Sequence, residues 1–437
     1  MHRRTWTAVA VGLALACTVT ACSSGGGSAT KAGSAGTAGS AKARTLTVWY
    51  MDGDLSDKAV AAINAAFTKA TGAQVKVQIQ EWDNINTKLT TALAGDNPPD
   101  VLEIGNTDVP MFAAGGGLTD ITSQVPDMSA GQTWLPGLIG PATVDSKVYA
   151  APLFAGNRAV VYNKTIWAKA GVTAPPTSFA EFTADLDKVK AANHAADFSA
   201  INMPGKYWYS ALPFVWDAGG QIAVNSGGKW TGALDSPAAQ QGLQAWKTFQ
   251  NTYSAASSRD VNDRTPDQNA LFASGKTSAI VVTSINTAVK DNPAIKDQIG
   301  TFPFPSTTPG KTQPVFLGGS DLAVAAKSKN QDLGLAYLKA ATSTAVQTSA
   351  IVGIDGWTPA STQLLDQTVS SLPPTSQAFF TAAKNSVATP ATPGWGTIEA
   401  DDSINSFLAD IATGRKSPAA AAKAFDAHLD QALNATQ

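Results

Sequence analysis

The stretch that decides the fold is Thr45–Gly105, TLTVWYMDGDLSDKAVAAINAAFTKATGAQVKVQIQEWDNINTKLTTALAGDNPPDVLEIG. Leu46, Val48 and Tyr50 alternate with Thr47 and Trp49, the period of a strand. Ser56 or Asp57 caps a helix whose apolar side is Val60, Ile63 and Phe67 and which Gly72 ends. Val75, Val77 and Ile79 alternate again as a second strand, Ile85, Leu89 and Leu93 mark a second helix running to Gly95, and Asp100 to Gly105 supplies a third strand. Right-handed crossovers make the strands of such a β-α-β-α-β unit parallel, with their carboxyl ends at one edge of the sheet. Open parallel sheets take ligands at that edge. Its loops, Met51 to Asp54, Glu81 to Asn84 and Gly105 to Asp108, carry Asp52, Asp54, Glu81, Trp82, Asn106 and Thr107. These groups suit a ligand; ordinary solvated loop side chains are the alternative reading.

Further along, Val148 to Pro152 and Ala159 to Tyr162 read as short strands flanking Gly156, Asn157 and Arg158. Further strands are expected at Ala279 to Val282 and Leu322 to Ala325. Helices are expected from Phe179 to Ala196, Ala238 to Thr252, Thr265 to Ala273, Gln331 to Thr342 and Ser376 to Lys384, with a final pair between Ile398 and Gln437. The class is α/β.

The N-terminus carries an address. His2, Arg3 and Arg4 precede an uncharged run from Trp6 to Ala21, which reads as a signal peptide over residues 1–21. The run is short for a membrane span of about 20 apolar residues. It ends V-T-A-C, and Val19, Thr20 and Ala21 before Cys22 resemble the bacterial lipobox, in which the cysteine is lipidated. Cys22 is then the last cysteine, so no intramolecular disulfide is available and the fold must rest on its core. Residues 22–43 are the lipidated Cys22 and a Ser, Gly, Ala and Thr tether with Lys31 and Lys42 as its charges. The remaining chain of about 390 residues suits two lobes better than one core.

Composition excludes several classes. Loss of Arg3 and Arg4 takes Lys and Arg from 31 to 29 against 33 Asp and Glu, a mildly acidic balance that argues against nucleic acid. His194 and His428 sit in Ala-rich helical surroundings and read as surface residues. No nucleophile elbow, phosphate loop or zinc spacing is present, so no cofactor or catalytic residue is expected. The stretch DGDLSD at 52–57 lacks the central glycine and distal Glu of a calcium loop, and no metal site is expected. A glycoside hydrolase needs only two carboxyls and is the rival enzyme reading, with Glu81, Glu103, Glu181 and Glu399 the only glutamates.

A family resemblance runs through residues 45 to 435. LTVWYMDGD, NPPDVLEIGN, YAAPLFAGNRAVVYNKTIWAKAGVTAPPTSFAEF, LFASGKTSAIVV, GGSDLAVAAKS and SFLADIATGRKSPAAAAKAF occur in this order. The chain thereby resembles the extracellular solute-binding proteins of family 1, the group that includes the maltose-binding protein. The resemblance implies a two-lobe clamshell of type II, each lobe a sheet flanked by helices, that closes on a ligand. Lobe 1 would comprise 44–155 and 322–356 and lobe 2 would comprise 158–316 and 360–437, with crossings near 156, 318–321 and 356–358. It also implies a monomer, anchored by lipid on the outer face of the cell membrane, that works with ABC permease subunits and a cytoplasmic ATPase. A sensor lipoprotein without a transporter has the same sequence features.

A sugar offers hydroxyls, which charged side chains bond strongly, and apolar C–H faces, which Trp and Tyr cover. Tyr207, Trp208, Tyr209 and Trp216 cluster before Gly219 and Gly220, Trp357 lies at the third crossing, and Trp395 in TPGWGT. Packing in the core is the alternative for each of these tryptophans. The resemblance adds polar candidates: Asp52, Asn106 and Thr107 from the first lobe, Asn157 and Arg158 at the first crossing, Ser284 after the strand at 279–282, and Gly319, Ser320 and Asp321 from GGSDL. Arg158 would serve equally as a hinge pin. The loop after the first strand lacks the Asp-Lys pair of the maltose-binding protein, and the aromatic near Ile285 is missing. Residues 49–107 look most similar to the actinobacterial N,N'-diacetylchitobiose-binding branch, which implies diacetylchitobiose or N-acetylglucosamine as ligand. The residues themselves suit cellobiose or a maltose-type oligosaccharide as well.

Overall fold

The computed structural model describes residues 44–435; the signal peptide, Cys22 and the tether lie outside the described residues. Its first sheet begins as the alternation predicts. Strands Thr45–Met51, Gln74–Gln80 and Val101–Gly105 pair in parallel, with Thr45–Met51 in the middle and Val48 opposite both Val77 and Val101. Ser56 caps the helix Asp57–Thr71 by accepting from Ala59 N–H, and Gly72 closes it at φ 72°. That positive φ favours glycine, which has no Cβ to clash. Val60, Ile63 and Phe67 turn inward, and Leu46, Val48 and Tyr50 pack in the same cluster.

The sheet continues with chain from much later. Strand Val315–Val324 pairs antiparallel with Val101–Gly105 and, on its other side, with Ala151–Asn157. Two sequence expectations are corrected here. Gly318 and Gly319 lie inside a ten-residue strand rather than before a short one, and Gly156 and Asn157 end a strand rather than form a loop. The three expected crossings lie side by side: Gly318 pairs with Gly156, Gly319 with Ala155, and Ala155 bridges to Thr358.

A second sheet follows the first crossing. Strand Ala159–Asn163 is flanked by Ala279–Val282 and Ile299–Phe302, both antiparallel to it. Around it pack the helices Phe179–Ala192, Trp208–Asp217 and Pro237–Tyr253. The expected final pair is Ser403–Thr413 and Pro418–Leu433, and a short helix that was not expected, Pro393–Ala400, precedes it. Trp167, Trp246, Phe182 and Phe249 centre this half's core. A further apolar cluster joins Leu135, Leu138, Leu317 and Val352 to Ala159, Ile280 and Phe380, so the two halves share packing where the chain crosses. The turn before the helix Thr362–Thr368 is tied to the first half's loops, since Ser361 Oγ donates to Gln132 at 3.1 Å and Thr362 N–H to Thr133 O at 3.0 Å.

Candidate functional site

The carboxyl edge of the first sheet opens on a cleft of about 580 Å³ between the halves. Each edge loop contributes: Asp54 from the first, Trp82 from the second, and Asn106, Thr107 and Asp108 from the third. The crossings floor it with Gly156, Arg158, Gly318, Gly319, Ser320 and Trp357. The second half supplies Tyr207, Trp208, Tyr209, Arg264 and Glu399. A second chamber of about 520 Å³, which includes Ser284, shares Asp54, Thr283 and Trp357 with the first.

The second half's wall is an aromatic stack holding a cation. The Trp208 and Tyr209 rings stack at 3.9 Å between centroids, and Phe316 meets both. Arg158 lies over Tyr209 with its guanidinium 3.8 Å from the ring centroid, and its Nε donates to Tyr207 Oη at 2.7 Å. The guanidinium has no carboxylate within ion-pair distance among the described residues, and its Nη1 is buried without a protein partner. A desolvated cation of this kind favours an oxygen acceptor brought by a ligand.

The first half's wall is acidic. Asp54 accepts Trp82 Nε1–H at 3.4 Å and Ser320 Oγ–H at 3.2 Å, while Trp357 Nε1–H donates to the Asp54 backbone oxygen at 2.8 Å. Trp357 in turn stacks on Phe154 at 4.8 Å, so one loop, one crossing and one strand fix each other. Asp108 accepts from Asn86 at 3.1 Å, and its burial raises its carboxyl to about 6. Burial first, and then Asp108, raise Glu399 to about 8. Two links span the cleft: Thr107 Oγ1–H donates to Glu399 Oε2 at 2.9 Å, and Arg264 lies 3.7 Å from Asp83. The second is exposed on both sides and is worth about 1 kcal/mol at most.

Of the residues singled out from sequence, Trp82, Asn106, Thr107, Arg158, Trp208, Tyr209, Gly319, Ser320 and Trp357 come together here, with Ser284 in the adjoining chamber. Asn106 is 3% exposed and spends its Nδ2 on Gly137 and Leu317 carbonyls, so it braces the floor. Six expectations are not met. Asp52 and Glu81 are exposed outside the cleft, because their neighbours Asp54 and Trp82 take the inward positions on those loops. Asn157 and Asp321 are buried in the crossing strands with no side-chain partner in the protein. Trp216 lies in a separate groove with Trp230. Trp395 is 0% exposed, set edge-on against Trp208 behind the wall. Tyr207, from the aromatic cluster before Gly219, also lines the cleft, while sequence reasoning passed over Asn86, Asp108, Lys206, Asp263, Arg264 and Glu399 as cleft residues. For Asp108 the edge-loop rule pointed at the right loop; Glu399 carries no local signal.

Two α/β halves joined by three adjacent crossings, with an aromatic and charged cleft over them, define a clamshell binding protein. The chain belongs to the bacterial extracellular solute-binding protein family, whose sequence profile matches residues 52–348. It is 38% identical over 406 residues to the diacetylchitobiose binding protein DasA of Streptomyces coelicolor, covering 92% of each chain. Among solved structures it resembles the sugar-binding protein MalE of Xanthomonas citri (TM-score 0.75, 22% identity, 89% of this chain and 97% of that one). It also resembles the GacH receptor of Streptomyces glaucescens (TM-score 0.73, 23% identity, 90% and 100%). At these identities the structural likeness establishes the fold alone.

Proposed function

We propose that this protein is the lipid-anchored capture subunit of an ABC importer, taking N,N'-diacetylchitobiose or N-acetylglucosamine into the cleft for delivery to the permease. The observation that carries the sugar is the 38% identity to DasA across 92% of the chain. The cleft supports it chemically. The part-exposed Trp82 and Trp357 rings offer apolar surface for sugar C–H groups, Asp54 accepts a hydroxyl, the protonated Glu399 carboxyl donates to one, and Arg158 donates to an acetamido oxygen. In this reading the lobes divide near 155, 322 and 356 and close on ligand about those segments, the protein acting as a monomer; the pairing of Gly318 with Gly156 and of Ala155 with Thr358 supports a common pivot. The family supports a binding role, and this reading takes the protein to act without catalysis; diacetylchitobiose recovered unshortened after incubation is the check.

Calorimetry tests the ligand. Diacetylchitobiose should bind with micromolar or tighter affinity, about −8 kcal/mol, and cellobiose, lacking the acetamido groups, much more weakly. Equal affinity for both would overturn the N-acetyl assignment and leave sugar binding standing. Anchoring at Cys22 is tested by Cys22→Ser, which should release the protein to the medium with its ligand affinity unchanged. No described helix is long and apolar enough to cross a membrane.

A further inference from the structure

Capture of a disaccharide leaves the second chamber unused. The cleft alone, at about 580 Å³, lies within the range of about 300 to 1,000 Å³ that encloses a small ligand. The adjoining space of about 520 Å³ is room for more. Asp54, Thr283 and Trp357 belong to both chambers, and Gly156 lies at their border: a Cβ there would stand 3.5 Å from the Trp357 ring and 3.7 Å from the Thr283 methyl. The Gly156 backbone is outside the left-handed region that calls for glycine. What its missing side chain leaves is open space between the chambers.

We propose that the second chamber continues the sugar site past Trp357, so that the protein captures oligosaccharides of three or more units, two in the cleft and the next beside Asn286 and Ser376. The inference rests on the sugar-binding reading above and extends it from a disaccharide to a chain. The lining of the second chamber suits a neutral sugar. Its only ionisable side chains are Asp54 and Asp355, and Asp355 Oδ2 already accepts Ser56 N–H at 2.9 Å. With no cation in that lining, an acidic unit is disfavoured. Asn286 and Thr287 are exposed and Ser376 is half-buried, which leaves amide and hydroxyl groups open to a ligand. Ile354, 44% exposed, adds an apolar wall for C–H groups. Trp357 stands between the two units with its ring held by Phe154 and by the Asp54 carbonyl. Each hydrogen bond gained by the third unit is worth about two- to tenfold in affinity.

Calorimetry with diacetylchitobiose and triacetylchitotriose, and with cellobiose and cellotriose alongside, reads the ratio of trimer to dimer affinity. The wild type should bind the trimer about tenfold more tightly than the dimer. Asn286→Ala should lower that ratio about threefold, and Ser376→Phe, whose ring fills the chamber, should abolish the advantage of the trimer. Both variants should bind the dimer within about threefold of wild type. Should the larger side chain at Ser376 unfold the protein, Asn286→Ala, at an exposed position, still decides. A wild-type trimer bound no more tightly than the dimer, or a ratio that the folded variants leave unchanged, would overturn the proposal. The ratio is read in whichever series binds, so failure of the N-acetyl series beside binding of the cello-oligosaccharides counts against the N-acetyl assignment alone. Binding of neither series overturns the second chamber and the sugar reading together.

Discussion

The hydroxyl of Thr107 donates to Glu399 Oε2 at 2.9 Å, joining the loop after the first sheet's third strand to the helix Pro393–Ala400 across the cleft. Glu399 is held at about 8 by burial and by Asp108, against 4.5 for an ordinary glutamate. Between those values the folded protein keeps a proton that the unfolded chain releases, so stability falls as pH rises through the interval. For one group the slope is at most about 1.4 kcal/mol per pH unit. Glu399→Gln keeps an acceptor for Thr107 and removes the titration. Thermal melts should therefore show the variant gaining on the wild type from about pH 5 to about pH 8, and a constant difference would refute the assignment.

Arg158 is held by neutral partners, the Tyr207 phenol and the Tyr209 face. A lysine is a point charge and cannot both stack on Tyr209 and bond Tyr207. Arg158→Lys and Arg158→Met should each weaken sugar binding by about 1.5 to 3 kcal/mol, the usual worth of a hydrogen bond to a charged group. If Arg158 is only a hinge pin, melting temperature will fall and affinity will hold.

The first three strands and two helices were legible because their cues are local: alternation over a few residues, Ser56 at a cap, Gly72 in a left-handed turn. The crossings were legible only through the family, since Gly318 and Gly319 read as loop residues and Gly318 pairs with Gly156, 162 positions earlier in the chain. Helix Trp208–Asp217 was hidden by Pro213 within it. At the site, the edge rule chose the right loops but not the right residues. Asp52 and Asp54 are two positions apart on one turn, and only tertiary contacts to Trp82 and Ser320 draw Asp54 inward. Nothing in composition separates Trp357, which faces the cleft, from Trp395, which does not.

That last contrast is measurable. Trp395→Ala removes a fully buried ring and should cost about 3 to 5 kcal/mol of stability, with affinity altered only as far as Trp208 shifts. Trp357→Ala strips a partly exposed ring from the cleft floor and should weaken sugar binding by more than about 1 kcal/mol with a smaller loss of Tm. Trp216→Ala should leave affinity unchanged, because its groove is separate. Calorimetry and melting on the same preparations decide each case, and a Trp395 variant that keeps its Tm while losing affinity would reverse the placement.

The crossing strands make the sharpest demand on sequence at Gly319. Its φ of 143° lies where a residue with a side chain is strained, and a Cβ built there would drive into the carbonyl oxygen of Phe154 on the paired strand. That neighbour is backbone in the middle of the sheet, so it cannot swing aside as a flexible side chain would. Gly156, directly across the pair at Gly318, differs: a Cβ there would meet Trp357 at 3.5 Å, an ordinary contact. Gly319→Ala should therefore lower stability by about 1 to 3 kcal/mol from backbone strain alone, and more with the clash. Gly156→Ala should leave the melting temperature near wild type and act on the ligand instead, through the space it fills beside Trp357. Melting both variants, with calorimetry on whichever folds, separates the roles. Equal Tm losses would mean that the two crossings are constrained alike, and that Gly319 is not the position where the fold requires glycine.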